Sequence, residues 1–330
     1  MPEVSVAIPV RNGGAALSRT LVAVCAQSIE HELLVCDSGS TDGSADVALA
    51  HGARVLQIDP SSFTHGGVRN LLMRDAEGAR VAFLTQDAQP ADEHWLRRLL
   101  GGFELAQDVG IVYGPYIPYE HAALPVRREL ERWFDSLSPD GRPRVERLGQ
   151  HERSLPAVEL IGRRGFFSDA NGCVARAAWE QVPFREVPYA EDRVLALDML
   201  RAGFAKAYVP AAAVLHSHDY STLEQLRRSF DEWRGLREVY GWREPASPAH
   251  LTRQLRGALG KARSELIREG VSAAGRRATL IAVSRHHLVR LAGAVLGSRA
   301  DRLPAAARRR LSLEGRASFE PLENGESDRI

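Results

Sequence analysis

Four places in this chain hold side chains suited to phosphate and proton-transfer chemistry. Asp87 ends the apolar run Phe83-Leu84 and is followed by the turn residues Ala88-Gln89-Pro90; Asp37 follows the run Leu33–Cys36 and precedes a Ser/Gly/Thr turn. A carboxylate at the carboxyl end of a strand sits where ligands of open α/β sheets gather, because strand ends and helix N-termini there offer backbone donors and room for a diphosphate. Glu191 and Asp192 open a helical pattern. Acids are common there simply because they complement the helix dipole, but a positioned carboxylate can also take a proton from a hydroxyl whose own pKa is far too high to ionise near neutrality. His216 and His218 bracket Ser217, so in an extended segment both rings project to one side, a modest signal for a metal contact.

Alternating strands and helices must position these groups. Val4–Val10 reads as a buried strand, Arg11–Gly14 as a turn and Ala15–Gln27 as a helix. The turn lacks the GxGxxG spacing of a dinucleotide fold. A strand at Glu32–Cys36 leads through a polar turn to a helix ending near Ala50, capped by Asp42 or Ser44. Arg54–Ile58 is the next strand, a helix opens near His65-Gly66-Gly67-Val68-Arg69-Asn70, and Arg80–Thr85 delivers Asp87. A helix over Asp92–Ala106 and a strand at Val109–Tyr113 complete the run. Short loops between such units predict an α/β fold with a Rossmann-like, mostly parallel sheet covered by helices on both faces.

Residues 1–113 are therefore expected to form a nucleotide-binding half and 114–220 an acceptor and catalytic half. The second half starts with a proline-rich stretch, contains a helix over Val126–Leu137, and regains order at Ser168–Val174. It ends in a helix at Glu191–Ala202 and strands at Ala205–Val209 and Ala213–Leu215. Residues 221–316 read as a basic helical region with helices at Ser221–Tyr240, Pro248–Arg268 and Arg276–Leu296, and 317–330 as an acidic tail expected to be flexible. Gly66 and Gly67 permit close backbone approach at a helix N-terminus, where phosphate is attracted.

The formal charge of +1 hides an asymmetry: residues 251–316 carry 15 Lys/Arg against 4 Asp/Glu, and residues 1–250 sum to about −7. In the last long helix, Leu280, Ile281, Leu288, Leu291, Ala292 and Val295 fall on one broad face, interrupted by Arg277 and Arg285, while Arg276, His286 and Arg290 point away. Such a face suits packing within the protein or a homodimer, or a basic surface lying on an anionic membrane. Nucleic acid is not an expected partner, since arginines are not interleaved with exposed aromatics. Three cysteines without CxxC spacing read as small core residues in a reducing compartment. No signal peptide is read at the N-terminus and no apolar window reaches the ~18 residues of a membrane-spanning helix. The expected location is the cytoplasm, with peripheral attachment at the inner membrane face as the option the basic helices raise.

The series Val6-Ala7-Ile8-Pro9-Val10-Arg11-Asn12, Cys36-Asp37-Ser38-Gly39-Ser40-Thr41-Asp42-Gly43-Ser44, Phe83-Leu84-Thr85-Gln86-Asp87, Glu191-Asp192 and His216 resembles the family-2 inverting glycosyltransferases of GT-A fold, over about residues 3–220. Within that family, Phe63–Asn70 with Leu84–Ala88 is most similar to the rhamnosyltransferase branch; Arg302-Leu303-Pro304 and Arg310-Leu311-Ser312 are similar to it less specifically. The resemblance implies transfer of a sugar, L-rhamnose from dTDP-rhamnose, or from a UDP-linked donor, to a hydroxyl of a glycan or lipid-linked acceptor in cell-envelope polysaccharide biosynthesis. It implies that Pro9, Arg11, Asp37, Arg69, Gln86 and Asp87 bind the nucleotide-sugar, that Asp87 and His216 hold Mg²⁺ or Mn²⁺, and that Asp192 is the general base with Glu191 supporting it. Asp169, Asn171 and His218 are expected on the acceptor side. Members usually carry Asp-x-Asp at the strand end, whereas Thr85 stands at the first position here, which predicts a weaker, donor-dependent metal site. A sugar-nucleotide pyrophosphorylase is the alternative enzyme, for which Arg11-Asn12-Gly13-Gly14 is a poor Gly-rich signature. A non-catalytic nucleotide-sugar-binding scaffold is the other alternative, motivated by the missing Asp and opposed by Glu191-Asp192 and His216.

Overall fold

Strand β1 (Val4–Val10) is almost wholly buried, as an uninterrupted apolar strand must be when helices cover both faces of its sheet. In the computed structural model, which describes residues 2–160, 162, 164–187, 189–313 and 315, it lies near the middle of an eight-stranded sheet. The other strands of that sheet are β2 (Glu32–Asp37), β3 (Arg54–Gln57), β4 (Arg80–Leu84), β6 (Val109–Tyr113), β8 (Arg144–Glu146), β9 (Asn171–Ala175) and β10 (Ala205–Tyr208), in the spatial order β3-β2-β1-β4-β9-β6-β10-β8. Short β5 (Gln89–Pro90), β7 (Tyr116–Ile117) and β11 (Val214–Leu215) form a second sheet, β5-β11-β7. The acidic tail expected at 317–330 lies outside the described residues.

The chain divides into two compact units. One comprises the chain up to His121 together with Glu129–Ser217; the other comprises Ala122–Arg128 and the chain from His218 onward. In the first, helices α1 (Gly14–Cys25), α2 (Ser44–Ala50), α3 (His65–Asp75), α4 (Trp95–Gly101), part of α5 (Leu124–Leu137), α6 (Ala157–Leu160), α7 (Arg176–Trp179) and α8 (Glu191–Ala202) accompany the sheet. Two apolar clusters fill it, one around Ile8, Leu17, Leu84 and Trp95, the other around Leu34, Leu72, Phe83 and Met199. Six of the eight strands run one way, as expected for a mostly parallel sheet; β9 and β8 run against their neighbours.

Strand β9 is the element the sequence reading left undefined. It begins Asn-Gly and is only five residues long, too short and too polar at its start to carry a strand pattern. Antiparallel pairing with β4 on one side and β6 on the other makes it central. Asn171 is fully buried: its Oδ1 accepts from the Trp95 indole N–H at 2.8 Å, and its Nδ2 donates to the carbonyls of Pro115 and Ala212 at 3.0 and 2.9 Å. This corrects its expected role on the acceptor side, because every hydrogen-bonding group of the amide is spent inside the core. Cys25 is likewise corrected from core residue to an exposed thiol, whereas Cys36 and Cys173 are buried.

The second unit contains α9 (Thr222–Tyr240), α10 (Pro248–Arg268), α11 (Ala273–Gly297) and α12 (Ala305–Leu311). Helix α9 starts with a capping box in which Ser221 and Glu224 satisfy each other's backbone N–H. Helix α11 does not use the leucine-rich face predicted for it. Val283, Gly293, Ala294 and Gly297 are buried, while Ile281 and Leu288 are 61% and 53% exposed. Glycine decides this. A Cβ at Gly293 would lie 2.6 Å from the Leu226 carbonyl, and one at Gly297 would collide with that of Phe230, so only the small-residue face admits the α9 backbone. Burial also lowers the pKa of His286 and Arg290, which were expected to point away. No helix among the described residues is long and apolar enough to cross a membrane.

Asn171→Ala is expected to destabilise the protein by about 2–4 kcal/mol, because it strands a buried indole N–H and two carbonyls. A urea melt should show a lower midpoint; an unchanged midpoint would remove Asn171 from this bracing role.

Candidate active site

The carboxyl ends of β2, β1 and β4 form one edge. Val10 pairs in register with Asp37, and the Ser38 N–H donates to the Val10 carbonyl at 2.9 Å. Pro9 sits within β1 opposite Cys36. The exposed Arg11 donates its N–H to Gln86 Oε1 at 2.9 Å, and Gln86 Nε2 returns to the Arg11 carbonyl at 3.3 Å. Gln86 thereby fastens the β4 end to the β1 end, so Pro9, Arg11, Asp37, Gln86 and Asp87 share this edge.

Asp37 is buried and makes an Asx turn: its Oδ1 accepts the N–H groups of Gly39 and Ser40, both at 2.9 Å. Its Oδ2 has no protein partner. A buried carboxylate oxygen without a donor is expensive, and a ligand N–H would satisfy it. Gly39 has φ +80°, and a Cβ there would strike Pro60 at 2.5 Å, so glycine is required for the turn. Asn12, at φ +50°, locks the neighbouring loop by accepting the Thr41 N–H at 2.8 Å.

The second sheet brings Asp87 to His216. β11 pairs antiparallel with β5, Leu215 opposite Gln89, and parallel with β7. The His216 N–H donates to the Ile117 carbonyl at 3.0 Å. His216 Nδ1 then lies 3.6 Å from Asp87 Oδ1, with Asp87 the more exposed of the two. The Thr85 hydroxyl oxygen is buried and without a hydrogen-bond partner. Its side chain therefore faces inward, where a second carboxylate would be costly to ionise. His218 begins the other unit and stacks on Tyr220 with ring centroids 5.0 Å apart.

Four charged groups meet near the carboxyl end of β4, where the antiparallel pairing of Leu84 with Asn171 brings the segment just ahead of β9. Arg69 is only 3% exposed; its Nε donates to Asp169 Oδ2 at 2.5 Å, and its guanidinium lies over the Phe83 ring. Arg69, expected to bind the nucleotide-sugar, thus spends its Nε on Asp169, while its Nη1 is buried without a hydrogen-bond partner. Glu191 and Asp192 open α8 immediately after Ala190, whose left-handed φ of +58° turns the chain sharply into the helix. Burial raises the pKa of both, and the Asp169 charge raises them further; for Asp192 the Glu191 charge adds to the effect. Glu191 and Asp192 cannot both ionise cheaply in this buried, negatively charged setting, so this pair holds its protons well above the usual carboxylate range.

The Gly66-Gly67 pair, read as room for a phosphate, admits protein instead. A Cβ on Gly66 would collide with the Arg185 carbonyl. Asn70 clasps the same segment from both directions, Nδ2 donating to the Phe184 carbonyl at 2.8 Å and Oδ1 accepting the Phe184 N–H at 3.1 Å. His65 Nδ1 lies 3.8 Å from Glu191 Oε1. The stretch His65–Asn70 is thus the cradle for the segment that leads into Glu191-Asp192.

Tyr116 was missed from sequence. Its ring packs edge-on to His216 at 5.0 Å, its hydroxyl bonds the Ser168 hydroxyl, and the nearby Asp192 and Asp169 charges, after burial, push its pKa up. It is the side chain that joins the Asp87–His216 pair to the carboxylate cluster. A tyrosine in a proline-rich stretch gives no signal of this, because the link exists only through pairing of β7 with β11.

These features define a protein that presents strand-end carboxylates beside an acid cluster, and the comparisons identify the class. The sequence model of glycosyl transferase family 2 matches residues 5–157. The chain is 30% identical over 233 residues to the O-antigen chain rhamnosyltransferase RfbN of Salmonella typhimurium, covering 69% of this chain and 71% of that one. It is 28% identical over 238 residues to the O-antigen chain rhamnosyltransferase WbaN of Salmonella anatum, covering 70% and 71%. Among solved structures, the mannosyltransferase PcManGT from Pyrobaculum calidifontis, in complex with GDP-Man and Mn²⁺, superposes with a TM-score of 0.56 at 16% identity over 90% of this chain and 87% of that one. Residues 1–349 of Staphylococcus aureus TarS give 0.50 at 15% identity over 96% and 90%. The fold is therefore GT-A, and the chain belongs to glycosyl transferase family 2. It is a glycosyltransferase, similar to rhamnosyltransferases of O-antigen assembly.

The folded state holds the Glu191 and Asp192 protons more tightly than the unfolded chain does. Stability therefore falls as pH rises from the ordinary carboxylate range through the raised pKa. Asp192→Asn removes that penalty. Its Tm should exceed the wild-type value by about 2–4 °C at alkaline pH, corresponding to roughly 1 kcal/mol, and the gain should vanish in acid. Thermal melts across pH check this, and a pH-independent difference would contradict the raised pKa.

Proposed function

We propose that this glycosyltransferase transfers L-rhamnose from dTDP-rhamnose, with inversion, to a hydroxyl of a growing lipid-linked glycan. The observation that carries the reading is the likeness to two O-antigen chain rhamnosyltransferases over about 70% of the chain. A pyrophosphorylase and a non-catalytic scaffold do not account for that likeness.

The geometry supports a division of labour. Asp37 Oδ2, buried and without a protein donor, suits the imide N–H of thymine or uracil. Arg11 and Gln86 line the edge along which the diphosphate would run, and the backbone donors of the flanking loops favour its charge. Asp87 Oδ1 and His216 Nδ1, 3.6 Å apart, can both reach one cation at bond lengths of roughly 2.0–2.2 Å. A carboxylate oxygen and an imidazole nitrogen fit Mn²⁺ or Mg²⁺ when diphosphate oxygens and water complete the shell. Bound there, such an ion would offset the charge that develops on the departing diphosphate.

Asp192 is the general base. Its raised pKa makes its carboxylate a better proton acceptor than an ordinary aspartate while leaving it ionised in mildly alkaline solution, and removal of the acceptor proton as attack proceeds contributes about 10²–10⁴-fold. Its Oδ1 accepts the Arg193 N–H at 2.7 Å, and the Arg193 charge offsets part of the negative charge around it. Glu191, held beside His65, supports the base or meets an acceptor hydroxyl.

Nucleoside diphosphate release should be followed with dTDP-rhamnose and, separately, UDP- and GDP-sugars, with Mn²⁺ or Mg²⁺ and a lipid-linked acceptor. Acceptor-dependent turnover should be greatest with dTDP-rhamnose and lost on chelation; turnover confined to another donor would overturn the sugar assignment. Asp192→Asn should lose about 10²–10⁴-fold in turnover yet bind donor in calorimetry with near wild-type affinity. Retained turnover would remove Asp192 from the base role. Asp37→Ala should instead weaken donor binding while Asp192 stays competent.

A further inference from the structure

Helices α10 and α11 enclose an open cavity of about 550 Å³ whose walls carry Arg256, Arg263, Arg276 and Arg277 around the aliphatic side chains of Leu280 and Ile281. The lining contains no acid. Arg276 donates to the Val271 carbonyl at 2.5 Å; Arg256, Arg263 and Arg277 have no carboxylate partner among the described residues. Four cations around one cavity repel one another, so the arrangement is unfavourable unless anions share it. The aliphatic surface continues beyond it. Ile267, four residues after Arg263, is 53% exposed, and Ile281 and Leu288, on the outward side of α11, are 61% and 53% exposed. The inward face of α11 is already filled by α9 through Gly293 and Gly297, so these residues present more than half of their surface to solvent.

We propose that the α10–α11 groove docks the protein on an anionic lipid bilayer, with phosphate headgroups between the arginines and Ile267, Ile281 and Leu288 entering the headgroup boundary. Charge complementarity selects a polyanion, and exposed aliphatic residues interleaved with arginine select a surface with an apolar interior over nucleic acid or an acidic protein. The attachment is peripheral, since no described helix can span the membrane. It is independent of the catalytic assignment, because none of these residues lies on the sheet edge or in the acid cluster.

Flotation of the full-length protein with phosphatidylcholine vesicles, with and without phosphatidylglycerol, tests the inference. Binding to anionic vesicles is expected to exceed binding to neutral ones by about tenfold or more and to weaken at high salt. Arg256→Glu, Arg263→Glu and Arg277→Glu together should reduce it at least about tenfold, with acceptor-independent donor hydrolysis unchanged. Ile281→Ser should weaken binding while leaving the salt dependence intact. If the triple variant does not fold, Arg263→Gln with Arg277→Gln gives the same comparison. Wild-type protein that fails to float with anionic vesicles, or variants that float as well as wild type, would overturn the proposal. Salt-sensitive self-association without lipid, abolished by the same substitutions, would instead assign the groove to the acidic half of a second copy and would also overturn it.

Discussion

The sheet-containing unit of the molecule depends on one buried ion pair, Arg69–Asp169. It joins helix α3 to the segment just ahead of β9, and neither partner reaches solvent to any useful extent. Removing one member of such a pair leaves an uncompensated charge and typically costs about 3–5 kcal/mol. The consequence here is more than structural. After burial, the Asp169 charge raises the pKa of both Glu191 and Asp192, while Arg69 moderates the effect on Glu191 and Arg193 that on Asp192. The same contact that closes the fold therefore adds to what burial does to the proton affinity of the acids beside it.

Around that pair, residues that look like ligand contacts act as scaffold. Gly66 admits a backbone, Asn70 clasps Phe184, and the left-handed Ala190 turns the chain into α8. Asn171 braces Trp95 and two carbonyls from the middle of the sheet. Unspent hydrogen-bonding capacity remains at Arg69 Nη1 and on the sheet edge. Asp37 has a buried oxygen without a donor, and Asp87 and His216 meet through a small second sheet whose strands are only two residues long.

The helical unit follows a different logic, in which small residues and not large ones mark the buried face. Gly293 and Gly297 bring α11 against α9, and Ser312 closes the unit by donating to Asp231 at 3.0 Å. Leucine and isoleucine are thereby displaced outward beside arginines. That is why the charge asymmetry of the chain appears as a groove with both cationic and apolar walls.

Much of this was legible in sequence because it depends on local pattern. Buried strands, their short turns and the acids at their ends follow from continuous apolar runs ended by Asp, Gly and Pro, and so the sheet edge bearing Asp37, Gln86 and Asp87 was readable before any coordinates. The approximate extents of the three long C-terminal helices were readable for the same reason. What sequence left undetermined is pairing between distant segments. It could not place β9 between β4 and β6, turn Arg69 inward to Asp169, or link Tyr116 to His216, because each depends on which neighbour a strand finds. Nor could it choose the inward face of α11, since helical periodicity ranks faces by hydrophobicity whereas close packing of two backbones selects the face without side chains.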